Sequence, residues 1–200
     1  DCCQTDVALA STGPIAVYRN RTMAEIRDIY VARHREGRWQ AGEVVADDGW
    51  EISGCPVNGP AITAKDRAVG VAWFTAASGH SRVRVALSTD AGATFTNPVD
   101  IDTERAIGRV DVAMLDDGAL AVSWLRRGLA SLGEIVVRRV AQDGTLGSII
   151  VIAKTVTFRP TGFPQMVRDE EALLFAWTHI EDGQTTIRTA RLNLSVLNTQ

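Results

Sequence analysis

The sequence predicts an all-β protein: a β-propeller of four-stranded antiparallel blades, about four of them in this chain, forming part of a larger, six-bladed ring. Three observations predict it. An aromatic recurs at the same place in an apolar run, as Tyr18, Trp73, Trp124 and Trp177, with spacings of 55, 51 and 53 residues. A second apolar run follows each aromatic, beginning at Ile29, Val83, Ile135 and Ile187, with spacings of 54, 52 and 52. Turn-forming clusters such as Thr12-Gly13-Pro14 and Asp116-Asp117-Gly118 separate short strands and favour tight antiparallel connections. A period near fifty residues with about four strands per unit is the pattern of propeller blades.

The chain reads as a single propeller segment, 1–200, with blades at approximately 1–50, 51–104, 105–157 and 158–200. Strands are expected at 6–10, 15–19, 28–33 and 43–46 in the first blade, and at 60–64, 69–74, 82–88 and 99–102 in the second. The third takes 110–115, 120–125, 134–140 and 149–153, and the fourth 164–168, 173–178, 186–192 and an outer strand at 195–197. Second strands are apolar almost throughout, as expected where neighbouring blades cover both sheet faces. No helix is required, although 20–26 has the length of one helical turn. Four blades leave a question of closure, because a propeller hides its faces only by completing a ring. Further blades from the parent protein or from a partner chain would complete it; the alternative is a closed four-bladed disc.

Composition narrows the function. The net charge of -3 argues against a nucleic-acid partner, which needs clustered Lys and Arg with few compensating acids. Only two of the 21 basic residues are lysines. That bias suits bidentate recognition of carboxylates, and it equally reflects the codon usage of a GC-rich genome. No apolar run approaches the roughly 20 residues that cross a bilayer. A chain that opens Asp1-Cys2-Cys3 reads as a processed mature form or a piece of something longer. Its three cysteines, Cys2, Cys3 and Cys55, leave one thiol without an internal partner.

The strongest local motif is Ser88-Thr89-Asp90-Ala91-Gly92-Ala93-Thr94-Phe95. It matches the Asp-box S-x-D-x-G-x-T-[W/F], in which the aspartate accepts backbone N–H groups across a turn, glycine permits positive φ and the aromatic tucks beneath. Worn versions stand at Glu36-Gly37-Arg38-Trp39 and Asp143-Gly144-Thr145-Leu146. With CCQTDVAL, EIRDIYVAR, GCPVNGP and GRVDVAMLDDG, these features resemble the sialidase-like (BNR/Asp-box repeat) β-propeller family of bacterial exported proteins. The resemblance implies an extracytoplasmic protein, periplasmic, secreted or lipid-anchored. It also implies a structural role for Ser88, Asp90, Gly92, Thr94 and Phe95. Sialidases of this family use an arginine triad for the substrate carboxylate, a tyrosine nucleophile with an activating glutamate, and an aspartate as acid/base. Arg19 stands where the first arginine would lie, and Arg109 or Arg82 would supply another. The only tyrosines are Tyr18 and Tyr30, and neither occupies the late-blade position of the nucleophile.

The loops joining second and third strands share a face with the approaches to the inner strands, and the default site is the channel mouth there. Its candidate ligand-binding residues are Arg19, Arg27, Asp28, Arg82, Arg109 and Asp111. Cys2, Cys3 and Cys55 precede inner strands of adjacent blades and are candidates for a disulfide, Cys55 with Cys2 or Cys3, or for a soft thiolate site for Cu(I) or Zn(II). His34, His80 and His179 fall in different blades without ligand spacing and are expected in solvent. The function expected first is a scaffold that binds a glycan, another ligand or a protein partner and requires no cofactor. The alternatives are a sialidase-like glycoside hydrolase with part of its active site outside the segment, and a thiolate metal-binding protein.

Overall fold

The computed structural model describes residues 3–128, 132–157 and 161–198. The fold is all-β, with sixteen strands in four antiparallel sheets among the described residues. The first sheet runs β1 (Asp6–Ala10), β2 (Gly13–Arg19), β3 (Ile29–Arg35) and β4 (Arg38–Trp39), with β5 (Glu43–Ala46) also paired to β3. The second runs β6 (Ala61–Lys65), β7 (Ala68–Thr75), β8 (Arg82–Ser88) and β9 (Val99–Asp102). The third runs β10 (Ala106–Met114), β11 (Leu120–Arg127), β12 (Gly133–Val140) and β13 (Ile150–Thr155). The fourth contains β14 (Gln165–Asp169), β15 (Ala172–Glu181) and β16 (Gln184–Asn193). Apart from β5, which returns to β3 beyond the short β4, each strand pairs with its neighbours in sequence, as short hairpin turns require, and the sheets are propeller blades.

The core consists of three inter-blade junctions. β-Strand side chains alternate between faces, so each blade points one set of residues backwards and the other forwards. Ile15, Val17 and Val31 of the first blade meet Val69, Val71 and Trp73 of the second. Ala72, Phe74 and Val85 of the second meet Val112, Val122 and Trp124 of the third. Ala121, Leu125 and Val137 of the third meet Met166, Phe175 and Trp177 of the fourth. The β-branched and aromatic residues that favour extended backbone are therefore also the ones that fill the gaps between sheets. Truncating Trp73 or Trp124, both fully buried, would cost about 3–5 kcal/mol.

The two end faces have no such cover. On the outward side of the fourth blade, Val167 is 60%, Leu174 36% and Ile187 69% exposed. On the outward side of the first, Val7 is 60% and Leu9 72% exposed. The described residues thus form an open stack rather than a closed disc.

The predicted outer strand at 195–197 is instead part of α1 (Leu194–Asn198). The amide of Leu194 donates to Glu171 O, and one helical turn then drives Leu197 into the third junction, where it is 2% exposed. Burial of that leucine outweighs the β-propensity of Val196. Segment 20–26 is a turn, closed by Thr22, whose hydroxyl accepts from the Ile26 amide at 3.1 Å, rather than a helical turn. A short 3₁₀ turn, Ala77–Gly79, joins β7 to β8.

Candidate functional site

The loop after β2, the end of β7 and the approaches to β6 and β10 come together on one face. Arg19, at the end of β2, is the hub. Its Nε donates to Asn58 O at 2.9 Å, Nη1 to Arg27 O at 2.6 Å and Nη2 to Phe74 O at 2.6 Å. Its guanidinium stacks 4.9 Å from the centroid of Trp50. All three nitrogens are engaged by the protein's own carbonyls. Burial is the chief cause that pulls its pKa down to about 10, well above neutrality, so it stays charged.

Arg27 is buried beside it, donating from Nε to Ile52 O at 3.0 Å and from Nη2 to Glu25 Oε2 at 3.0 Å. Asp28 accepts the amides of Gly49 and Trp50, each at 3.2 Å, and so holds the turn that carries Trp50 under Arg19. Burial raises the Asp28 pKa, against the lowering effect of those two amides.

Asn58 links this hub to the third blade. Its side-chain oxygen accepts the Arg109 amide at 2.9 Å, and its Nδ2 donates to Ile107 O at 3.0 Å. Positive φ at Gly108 (107°) and Arg109 (55°) breaks the β10 ladder where Asn58 enters. Arg109 then reaches the fourth blade, donating from Nη1 to Thr161 Oγ1 at 2.6 Å and from Nη2 to Thr157 O at 3.2 Å. Burial lowers its pKa. Asp111 bridges the same blades: Oδ2 accepts the Met166 amide at 2.6 Å and Oδ1 the Val112 amide at 2.8 Å. Desolvation, offset by those amides and reinforced by the charge of Asp6, raises its pKa to about 6. Asp6 has the corresponding role one junction earlier, accepting the Ile62 amide at 2.9 Å.

Arg82 stands apart, near the Arg84–Asp100 pair: its Nη1 lies 3.7 Å from Asp100, and its buried Nε has no hydrogen-bond partner among the described residues. The structure thus brings Arg19, Arg27 and Asp28 together, ties Arg109 to them through Asn58, and leaves Arg82 outside the cluster. The tyrosines are on the other side of the first sheet. Tyr18 and Tyr30 pack together with ring centroids 6.1 Å apart, and their cross-strand pairing puts them on the outward face, away from Arg19. Burial and the neighbouring phenol raise the Tyr18 pKa, the opposite of nucleophile activation.

Cys55 is disulfide-bonded and Cys3 is a free thiol, with 4.0 Å between their sulfurs. Cys2 lies outside the described residues. A three-thiolate metal site would need the Cys55 sulfur that the disulfide occupies, and no cluster of three His, Cys, Asp or Glu ligands occurs among the described residues. Of the histidines expected in solvent, His179 is an exception. Its side chain is 13% exposed, and neither ring nitrogen has a hydrogen-bond partner among the described residues.

On the opposite face, the Ser88–Phe95 turn is closed by its own side chains. Asp90 Oδ1 accepts the amides of Ala93 at 3.0 Å and Thr94 at 2.9 Å, Oδ2 accepts the Thr94 hydroxyl at 2.6 Å, and Ser88 Oγ accepts the Gly92 amide at 2.9 Å. These bonds, the Thr94 hydroxyl first among them, hold the Asp90 carboxyl far below the usual carboxylate range. Gly92, at φ 76°, is where the turn needs a left-handed residue. Arg33 of the first blade donates to its carbonyl at 2.9 Å, so this turn also fastens two blades.

Sequence reasoning missed the carboxylates that anchor the tryptophans. Trp73 Nε1 donates to Asp48 at 2.7 Å and Trp124 Nε1 to Asp102 at 2.8 Å. An acid at or just after the outer strand, 25 and 22 residues before each tryptophan, was the available signal.

No protein-family model matches the chain, and no curated protein matches it in sequence. Solved structures share its fold. The Hadza microbial sialidase Hz136 is 15% identical with a TM-score of 0.64, over 94% of this chain and 44% of that one. The xylan β-1,4-xylosidase from Bacillus halodurans C-125 is 10% identical with a TM-score of 0.62, over 95% and 39%. The sialidase of Trypanosoma rangeli is 9% identical with a TM-score of 0.61, over 94% and 35%. The chain spans less than half the length of these structures. At such identities they show the fold alone: a sialidase-like propeller of the kind found in glycoside hydrolases.

Proposed function

We propose that this chain is a segment of an extracytoplasmic, sialidase-like β-propeller that works as a ligand-binding or protein-interaction scaffold, its ring completed by further blades. The observation that carries this reading is the saturation of the arginine cluster. Arg19, Arg27 and Arg109 donate to carbonyls, a carboxylate and a hydroxyl of the chain itself. A substrate carboxylate would have to displace bonds that fasten the first blade to the second and the third to the fourth, and the tyrosines are on the wrong side of the sheet to attack it. Electrostatic catalysis needs donors aimed at an empty position where charge develops. Here those donors are aimed at the protein. The Ser88–Phe95 turn is read as an Asp-box, structural in role.

The open outer face of the fourth blade supports the completing blades. It carries a concave, apolar-lined hollow of about 490 Å³, bounded by Gln165, Val167, Leu174, Ala176 and Arg191. Leu174, Ala176 and Thr178 occupy the places that Ile15, Val17 and Arg19 hold in the first blade, relative to the recurring aromatic, and those three are buried by the next blade. A further blade of the same kind covers the face in the same way. The scaffold reading is tested by incubating the protein with chromogenic sialosides, xylosides and arabinofuranosides. It predicts no turnover above that of an Arg82→Ala variant. Turnover that Arg82→Ala abolishes would move the function to hydrolysis, with Arg82 as the remaining substrate-facing arginine.

A further inference from the structure

We propose that the outer edge of β16 is a strand-acceptor site, which takes one extended acidic segment of a partner polypeptide as the outer strand of the fourth blade. The proposal deepens the scaffold reading and rests on it, because that segment is the first strand of what completes the ring.

The first three blades define the slot. In each, an outer strand lies antiparallel to the third strand, with a register shift at the same point. Ala46, Asp102 and Ala153 stand opposite Ile29, Val83 and Ile135. Beyond the shift, Val44, Asp100 and Val151 stand opposite Tyr30, Arg84 and Val136. In the fourth blade, among the described residues, β16 pairs with β15 alone, over ten residues, without proline and without a shift in register. A long, regular edge of this kind presents a row of unpaired N–H and C=O groups, the template onto which an extended peptide adds. Residues 184–189 are all exposed, and Ile187 is 69% exposed where Ile29, Val83 and Ile135 are fully buried.

The route by which the other blades fill the slot is not taken here. After β3, β8 and β12 the chain reverses and brings the outer strand back along the edge. After β16 it enters α1 instead, and Leu197 is buried in the third junction, against the third blade rather than along the edge. The strand that fills the slot is therefore not a hairpin continuation of β16, and a second polypeptide supplies it.

Charge fixes the chemistry of that segment. Arg188 stands across from Trp177 in the strand pairing as Arg84 stands across from Trp73. Arg84 is held by two carboxylates: Asp100 of its own outer strand, with Nε 2.7 Å from Oδ1, and Asp48 of the preceding blade. At the fourth blade Thr155 takes the place of Asp48, so the preceding blade offers no carboxylate there. Arg188 pairs instead with Glu181 of its own hairpin at 2.9 Å, and both side chains are exposed. A segment with a carboxylate at the place of Asp100 meets Arg188 directly across the strands, where opposite charges attract and like charges repel. The second blade's own outer strand supplies the pattern, Val99-Asp100-Ile101-Asp102: an acid opposite the arginine, then an apolar residue at the register shift, where Ile101 is 1% exposed.

The test uses the whole chain and a synthetic peptide with the sequence of residues 97–104, read by hydrogen exchange at the outward-facing amides of β16, which alternate along an antiparallel edge. At about 1 mM peptide these amides are expected to exchange more slowly. The same peptide carrying Asp100→Lys is expected to bind at least about fivefold more weakly, and Arg188→Asp in the chain is expected to reverse that preference. Slow exchange at these amides before any peptide is added would overturn the proposal, because the edge would already be covered. No slowing at about 1 mM peptide, or equal binding of the two peptides, would overturn it as well. None of these results touches the scaffold reading, which falls instead to glycoside turnover.

Discussion

The first and second blade junctions differ from the third in how their aromatic is held. Trp73 and Trp124 each donate an indole N–H to a carboxylate of the preceding blade, Asp48 and Asp102. Each carboxylate does further work: Asp48 also pairs with Arg84, and Asp102 accepts the amides of Glu104 and Arg105, each at 3.1 Å. At the third junction the strand-pairing register puts Ala153 and Thr155 at the places of Asp102 and Asp48. Trp177 Nε1 and Thr155 Oγ1 are both buried without a hydrogen-bond partner among the described residues, although they line the same small hollow. The aromatic position is therefore occupied for its packing even where its polar anchor is missing. The fourth blade leans instead on Asp111, Arg109 and the exposed Arg168–Asp116 pair.

The largest effect is expected from Asp102→Ala, which strands the buried indole N–H of Trp124 and releases the amides of Glu104 and Arg105. A loss of about 3 kcal/mol is expected, read as a lowered urea midpoint. Next comes pH. The folded Asp111 carboxyl titrates near about 6 against a reference of 3.8, so the stability linked to it is full below the reference value and is lost as pH rises through about 6. The third junction should weaken by up to about 3 kcal/mol between about pH 4 and pH 7. Hydrogen exchange at the Met166 amide as a function of pH reads this at the site. Thr155→Asp offers Trp177 the missing acceptor and is expected to raise stability by about 1 kcal/mol in thermal unfolding. Thr155→Ala, by contrast, removes a hydroxyl with no hydrogen-bond partner among the described residues and should change the unfolding free energy by less than about 0.5 kcal/mol.

Much of the fold was legible because burial on both faces leaves a one-dimensional trace. The apolar runs around Trp73, Trp124 and Trp177 mark second strands, and the Asp-Gly and Gly-Pro turns mark their ends. The end at 195–197 was not legible, because Ser195, Val196 and Leu197 suit a strand or a single helical turn, and only the packing of Leu197 into the third junction decides between them. The site was legible as a location and not as chemistry. The sequence shows arginines converging near the inner strands. It does not show that Arg19 finds three carbonyls, from Arg27, Asn58 and Phe74, because those contacts span 8, 39 and 55 residues. The nearness of Cys3 and Cys55 was legible, because both precede inner strands of adjacent blades; that Cys3 is the free thiol was not.

The proposed larger ring would cover the fourth blade's outer face in the working protein. The most direct test is the double substitution Leu174→Glu with Ile187→Glu in the intact protein, read by urea unfolding. If a further blade covers the face, two unpaired carboxylates are buried and the fold loses more than about 4 kcal/mol. If the face is open to water, both substitutions fall on exposed strand positions and the unfolding free energy changes by less than about 0.5 kcal/mol, which would contradict the larger ring.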